Sequence, residues 1–473
     1  MSGPLNRRDF LQFSLAGSAL FLGRGTFAGG AVKAPATADG CAARVAKLYI
    51  GTQHPHWPTP LLDIEAEMRR YEAEFARRSE DLAGVEFVTN QLVTSPEQVR
   101  QLRDRIAGAD GVLVVHLGIG VGAVLDEILA AKKPTMFFAA PYSGHEWANL
   151  GALQKQPRGA LLSCALTSDL GQAVGAVRPI RAIHHMKVSK LLNITARSIG
   201  AYADQVKSKF GMSMQVVPLA RVMSLYESVS EHQAKAEAEA WVKGAMEVRE
   251  PSHAEVVKSC RMALAFEKLL KEEGANCLTV ECYGSMYEPL CKKVAFPCVG
   301  FVRLNDMGLA GICESDLESA VTFLMFQGLT GRPSFISDPT IDESKNGIIL
   351  AHCLGTRKMD GPAGKAAPYR LRTIHERQEG CVPQVFMRVG QRVTQGRIVG
   401  TDTLPFFTGE VVETPDVDRG CRTQITVKVD GDATRLWKNW AHGLHRLTCY
   451  GDIRRDLEHY CRFMNITMLN EAV

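Results

Sequence analysis

The sequence predicts an α/β protein with two doubly wound parallel-sheet domains followed by a mainly β, barrel-like C-terminal domain. Up to about residue 355, short apolar segments alternate with amphipathic helical segments, as they do in parallel sheets whose strands are joined by helices. Beyond residue 355, short β-like segments separated by glycines replace that alternation. The 473 residues, 46% of them hydrophobic, are enough to bury several cores.

The first predicted α/β domain comprises residues 43–185, and the second comprises residues 186–355. In the first, the strand-like segments are residues 47–50, 85–88, 111–117 and 134–140. In the second, strands are expected at residues 191–195, 214–217, 277–280, 298–302 and 348–352. Helical periodicity with charged outer faces occupies residues 228–247 and 253–273.

The predicted β-rich domain comprises residues 356–473. It begins with residues 357–367, which are rich in glycine, proline and charge. The β-like segments that follow are residues 384–389, 397–400, 409–412 and 423–429. Residues 452–464 are expected to form a closing helix.

Residues 1–42 are predicted to be a targeting signal and its linker. Arg7 and Arg8 precede an apolar stretch that ends at Gly23 and small residues that continue to Ala38. The pattern resembles a twin-arginine export signal, so the twin-arginine machinery is an expected partner and the periplasm the expected location. The apolar stretch is short for a membrane span, and no stable span is expected after processing.

Charge and cysteine usage narrow the class of partner. The formal net charge is +4, and no run of basic residues interleaved with aromatics follows the signal, so no nucleic-acid partner is expected. The thirteen cysteines form no Cys-x-x-Cys pair, which argues against a zinc knuckle or a disulfide framework. The expected ligand is therefore a small molecule.

Two carboxylates follow successive predicted strands. Glu314 lies after the apolar residues 308–313 and before a helix, and Asp338 lies after the next predicted strand and before Pro339. One strand-helix-strand unit would bring both to the carboxyl ends of one sheet, where α/β proteins bind ligands. Two such carboxylates repel each other unless a cation or a proton lies between them. The alternative is that Glu314 caps its helix and Asp338 begins a turn, although Asp316 is better placed for the first helical turn.

Three further residues are candidates for the same site. His445 is the candidate third ligand of a divalent metal, with a hydrogen-bonded structural histidine as the alternative. His352 ends the predicted strand 348–352 and is a candidate substrate contact, with a core histidine as the alternative. Trp440, or alternatively Trp437, is a candidate apolar wall against which a substrate would pack.

The motifs around these residues resemble a known family. The segment Cys313-Glu314-Ser315-Asp316, followed by Gly328-Leu329-Thr330-Gly331 and then Asp338, resembles the metal-binding stretch of the L-fucose isomerase family, to which L-arabinose isomerase is more distantly related. The 24-residue spacing from Glu314 to Asp338 and the spacing from His445 to Gly451 are similar to the family pattern. The resemblance extends from about residue 190 to the C-terminus.

The resemblance implies a metal-dependent aldose-ketose isomerase with Glu314, Asp338 and His445 as metal ligands, and the predicted signal adds the expectation that it is exported. Mainly oxygen ligation favours Mn²⁺, with Mg²⁺ or Co²⁺ as alternatives. Glu314 and Asp338 would also transfer the proton between C2 and C1 of a sugar through a cis-enediol. A homo-oligomer, trimer or hexamer, is implied as well. The alternatives are a non-catalytic periplasmic sugar-binding protein of the same fold, and an epimerase or lyase that acts on a related sugar.

Overall fold

A five-stranded parallel sheet forms the first part of the computed structural model, which describes residues 42–473. Its strands pair in the order β2-β1-β3-β4-β5 and are β1 (Ala43–Ile50), β2 (Val85–Val93), β3 (Gly111–His116), β4 (Thr135–Ala139) and β5 (Leu162–Leu166). Its helices are α1 (Ile64–Arg77), α2 (Pro96–Gln101), α3 (Arg103–Ala107), α4 (Gly122–Ala130), α5 (Trp147–Leu153), α6 (Gly171–Gly175) and α7 (Arg178–Val188). Separate apolar cores, one with side chains of α2 to α4 and one with side chains of α1, α6 and α7, cover the sheet.

A four-stranded parallel sheet follows, with the strand order β7-β6-β8-β9. Its strands are β6 (Lys190–Ile194), β7 (Ser213–Val217), β8 (Cys277–Val280) and β9 (Ala310–Ile312). Its helices are α8 (Ala201–Phe210), α9 (Leu219–Ser228), α10 (Glu231–Gly244), α11 (His253–Glu272), α12 (Cys298–Asp306) and α13 (Leu317–Thr330). Both parallel sheets agree with the predicted fold class.

One predicted strand of this region is wrong. Residues 298–302 form the first part of α12, a helix in which eight of nine residues are buried. A short continuous apolar run suits a buried strand and a buried helix equally well, because neither has a polar face to reveal its period. The edge strand beside β8 is β9, and not a strand at residues 298–302.

The C-terminal region contains a closed antiparallel barrel. Six strands pair in the order β14-β17-β10-β11-β16-β15, and β15 pairs again with β14, which closes the ring. The barrel strands are β10 (Phe335–Asp342), β11 (Gly347–His352), β14 (Arg392–Gly396), β15 (Thr403–Glu413), β16 (Thr423–Val429) and β17 (Arg446–Tyr450). A seventh strand, β18 (Thr467–Asn470), pairs in parallel with β15.

The remaining elements surround the barrel. A small antiparallel pair consists of β12 (Tyr369–Arg372) and β13 (Val382–Val385), and the helices are α14 (Ala433–Asn439) and α15 (Arg454–Met464). Single helical turns occupy Ser79–Leu82, Pro157–Gly159, Tyr287–Lys292 and Glu343–Lys345. The expected strand at 423–429 coincides with β16 and the expected closing helix with α15, whereas residues 397–400 follow β14 and are not a strand.

The grouping of two strands differs from the prediction. We expected residues 334–336 and 348–352 in the second parallel sheet, but β10 and β11 belong to the barrel. Only four residues separate them, and a parallel crossover needs a dozen or more, so the two strands form an antiparallel hairpin. The domain limits predicted at residues 42, 185 and 355 stay predictions.

Two predictions concern export and membranes. The predicted twin-arginine signal lies outside the described residues. Over residues 42–473, no helix combines the length and the apolar character that crossing a membrane requires.

Candidate active site

A cavity lies where the carboxyl end of the second parallel sheet meets the barrel. Its charged and polar lining consists of Tyr283, Glu314, Asp338, His352 and Glu376. Its lining also includes the thiols of Cys282, Cys298, Cys313, Cys353 and Cys421. Because the region of the second parallel sheet and the barrel both supply lining residues, residues distant in the sequence face the same space.

Glu314 reaches the cavity from the loop that follows β9. Glu314 and Ser315 have φ angles of +63° and +51°, a left-handed conformation that is uncommon for residues other than glycine. The Ser315 side chain donates a hydrogen bond to Asn193 Oδ1 at 2.6 Å, and its backbone N–H donates to the carbonyl of Val280 at 3.0 Å. These bonds hold the loop against the ends of β6 and β8. Such conformations cluster at functional sites, where the surrounding structure enforces them.

Asp338 reaches the cavity from inside a barrel strand. It pairs with Ala351 of β11, and its neighbour Ser337 pairs with Arg446 of β17. One step further along the same antiparallel pairing, His445 lies opposite Asp338, with Nε2 3.2 Å from Oδ1. The expected position of Asp338, at the carboxyl end of a strand in the same parallel sheet as Glu314, is therefore wrong. The two carboxylates nevertheless face one cavity.

The structure brings four predicted site residues together. The Nε2 atom of His445 lies 3.7 Å from Oε2 of Glu314, and the Nε2 atom of His352 lies 3.7 Å from its Oε1. The two imidazole rings are 5.6 Å apart between centroids. Ligand atoms of Glu314, His352 and His445 lie within 4.8 Å of one another, close enough to hold one ion. Asp338 completes this group, which we call the carboxylate-histidine cluster.

Several buried polar atoms of the cluster lack a well-aligned hydrogen bond. Both ring nitrogens of His352 have no hydrogen-bond partner, and Nε2 of His445 and Oδ1 of Asp338 lie 3.2 Å apart without good alignment and have no other partner. Buried polar atoms are nearly always paired in folded proteins, so unpaired atoms that converge on one space indicate a missing ligand. Carboxylate oxygens and imidazole nitrogens are donors that suit divalent first-row metals. The residues present therefore fit a metal ion.

Asp316 orients the histidine of the cluster. Its Oδ2 lies 2.7 Å from Nδ1 of His445, and the same carboxylate pairs with Arg397 and caps α13 through the backbone N–H of Ser319. A histidine that donates Nδ1–H to a carboxylate presents Nε2 to the cavity, which is how metal-binding histidines are commonly held. Sequence analysis recognised Asp316 only as a helix-start residue, because 129 residues separate it from His445.

The cluster also shifts the pKa values of its members. Burial opposes a charge on His445, but hydrogen bonds and attraction from Asp316 and Asp338 outweigh burial and raise the pKa of His445 to about 10. Burial, reinforced by His445, lowers the pKa of His352 to about 4. Burial raises the pKa of Glu314, and the nearby Asp338 carboxylate adds to that effect. The nearby carboxylates of Glu314, Asp316 and Asp338 thus stabilise a proton or a cation that lies between them.

The structure places Trp440 away from the cluster. Its ring packs 6.3 Å from that of Phe407, and the guanidinium of Arg446 lies 4.0 Å from the ring centroid. Within residues 42–473, the lining of the cavity does not include Trp440.

The lining also includes Tyr283 and Glu376, neither of which was predicted as a site residue. The Tyr283 hydroxyl donates a hydrogen bond to Oε2 of Glu376 at 2.9 Å. No motif marks either residue, because their contact joins two loops 93 positions apart.

Fold and site together define an α/β protein with an antiparallel barrel and a cavity suited to a divalent cation. No family model matches the chain. A sulfoquinovose isomerase from Clostridium sp. (strain MSTE9) is 27% identical over 215 residues, which covers 42% of this chain and 44% of that protein. The alignment therefore spans less than half the length of each. This similarity supports the class predicted from the sequence, an isomerase that acts on a sugar.

Proposed function

We propose that the protein is a metal-dependent aldose-ketose isomerase. The observation that carries the proposal is that Glu314 and Asp338, which line one cavity, both approach Nε2 of His445, at 3.7 Å and 3.2 Å, beside the unpaired ring nitrogens of His352. The similarity to a sulfoquinovose isomerase supports the same class of reaction.

Glu314, Asp338 and His445 are the proposed metal ligands, and Asp316 keeps His445 in the orientation that ligation requires. The two carboxylates favour Mn²⁺, with Mg²⁺ or Co²⁺ as alternatives, and the imidazole argues for Mn²⁺ or Co²⁺ over Mg²⁺. When bound, the ion would polarise the sugar carbonyl and so lower the pKa of the adjacent C–H.

The chain's own carboxylates would carry out the proton transfer. Glu314 and Asp338 both line the cavity and lie 3.7 Å and 3.2 Å from Nε2 of His445, so a sugar bound there would have both carboxylates beside it. One of them would take the proton from C2 of the aldose and return it to C1 through a cis-enediol, as a positioned general base does. His352, whose ring nitrogens are unpaired, is the proposed hydrogen-bond partner of a sugar hydroxyl.

The proposal extends to location and assembly. The predicted signal supports export by a route that carries folded proteins, which would let the metal bind before export. The family resemblance supports a trimer or hexamer, which sedimentation of the purified protein would test.

The decisive experiment measures solvent exchange at C2. The Mn²⁺-loaded protein is incubated in deuterated water with a panel of aldoses that includes sulfoquinovose and L-fucose, and NMR follows deuterium at C2 and the products. We expect exchange at C2 together with formation of a ketose for at least one sugar. Saturable binding without exchange would replace the proposal with a sugar-binding protein, and an inverted or dehydrated product would replace it with an epimerase or a lyase.

A further inference from the structure

A second group of metal-binding side chains lies in the wall of the same cavity. It consists of Cys353, Glu376 and Cys421, and we call it the thiol cluster. The thiol of Cys353 contacts Oε2 of Glu376 at 3.3 Å, and the thiol of Cys421 contacts Oε1 at 3.0 Å. The three ligand atoms lie within 4.8 Å of one another. None of these residues is needed for the proposed isomerase chemistry.

Strand pairing fixes the two thiols. Cys353 directly follows β11, and Cys421 lies two residues before β16. Because His352 of β11 pairs with Thr423 of β16, the two cysteines extend from neighbouring strand ends of a closed barrel. Glu376 comes from the loop between β12 and β13 and is held by the Tyr283 hydroxyl. The cluster is therefore built by the fold rather than by a chance meeting of flexible side chains.

The spacing and chemistry suit a thiophilic cation. With ordinary bond lengths, tetrahedral zinc separates a sulfur ligand from an oxygen ligand by about 3.5 Å. The sulfurs of Cys353 and Cys421 lie 3.3 Å and 3.0 Å from different oxygens of the Glu376 carboxylate, so the two thiols flank one carboxylate at nearly that range. Thiolates favour zinc and related soft ions, whereas the carboxylate-histidine cluster offers only oxygen and nitrogen. Three protein ligands leave a fourth position, and all three residues line the cavity from which it would be filled.

We propose that the thiol cluster binds Zn²⁺ or another thiophilic divalent cation, separately from the ion of the carboxylate-histidine cluster. On binding, both S–H bonds break, two Zn–S bonds form, and the two protons pass to solvent, so no oxidant or reductant takes part. Binding itself does not depend on the isomerase proposal. If that proposal is correct, Zn²⁺ also inhibits turnover, because it occupies the wall of the cavity that the sugar must enter.

Cobalt titration of the reduced, full-length protein tests the site, because thiolate ligation gives Co²⁺ an intense near-ultraviolet charge-transfer band that oxygen and nitrogen ligands do not give. We expect one such band, removed by added Zn²⁺, and retained in Glu314→Gln, which perturbs only the other cluster. Cys421→Ser, which leaves the Cys353 thiolate in place, should lower the intensity of the band and weaken Zn²⁺ binding by roughly 100-fold, since losing a ligand costs at least as much as losing an outer-shell partner. The double variant Cys353→Ser/Cys421→Ser removes both thiolates and should abolish the band.

Two controls make the result specific. Cys164→Ser replaces a partly buried thiol of β5, and Cys282→Ser replaces another thiol of the same cavity. Both should keep the band. The proposal is overturned if the wild-type protein shows no charge-transfer band, or if the band is undiminished in Cys421→Ser or survives in Cys353→Ser/Cys421→Ser, which would leave the thiol-carboxylate contacts as hydrogen bonds alone. Cys421 is only partly buried, so its replacement is expected to leave the fold intact.

Discussion

The two walls of the carboxylate-histidine cluster are built in different ways. On the barrel side, Asp338, His352 and His445 lie on or beside three neighbouring strands, where backbone pairing sets their positions. On the other side, Glu314 stands alone on a loop in a left-handed conformation. Strand pairing thus positions three of the four side chains of the cluster, and the loop after β9 positions the fourth, Glu314.

Asp316 connects the two walls. It begins α13 on the loop side, and it hydrogen-bonds His445 and pairs with Arg397 on the barrel side. The contrast between the walls therefore predicts four kinds of effect: loss of a ligand, loss of the connection, loss of a substrate contact, and loss of loop support.

Ligand replacements should have the largest effect and should affect both walls. Asp338→Asn and Glu314→Gln keep the side-chain shape but remove a charge and a base, so each should lower turnover by on the order of 1,000-fold or more and weaken metal binding. The measurements are C2 exchange by NMR and bound metal by elemental analysis. Asp342→Asn, at the half-buried far end of the same strand as Asp338, should leave both unchanged. Full activity in either ligand variant would remove the site assignment.

Replacement of the connecting residue should come next. Asp316→Asn removes the charge that orients His445 but keeps a good helix cap, so metal affinity should fall about 10- to 100-fold while the fold persists. Metal titration followed by calorimetry gives the affinity, and circular dichroism monitors the fold. Unchanged affinity would show that the barrel alone positions His445.

Replacement of His352 tests whether this residue of the barrel wall contacts the substrate or the metal. We expect His352→Gln to retain the metal and to lower turnover by roughly 10- to 100-fold, because it removes a polar contact to the sugar and leaves the three proposed ligands in place. Parallel measurement of metal content and kcat distinguishes the two roles. Loss of the metal would instead make His352 a fourth ligand.

Loop support should have the smallest effect. Ser315→Ala removes the hydrogen bond to Asn193, so it should lower the free energy of unfolding by about 1 kcal/mol and reduce turnover only slightly. Urea denaturation measures the change. Ser208→Ala, on the exposed face of α8, should alter stability by no more than about 0.5 kcal/mol. Equal effects of the two substitutions would mean that Ser315 does not support the loop.

Sequence patterns identified the parallel sheets and the position of Glu314 because both depend on local periodicity and on short connections. They misplaced Asp338 because an apolar strand does not reveal which sheet it joins, and they misread residues 298–302 because a fully buried helix has no polar face. The contact of Asp316 with His445 and the thiol cluster depend on contacts between residues far apart in the sequence, which no local pattern records. Sequence alone could therefore name the candidate ligands but could not show how they are held.

The closed barrel has a consequence for the order of events during folding. Glu314 and His445 are 131 positions apart, and β17, which His445 directly precedes, pairs with β10 and β14. A partly folded chain consequently lacks this combination of donors, and the loop-closure entropy must be overcome before a cation meets all of them. Because the cation would bind the native state and not the unfolded one, it would stabilise a barrel that has already formed. Chelation should therefore speed the opening of the barrel more than it slows its assembly.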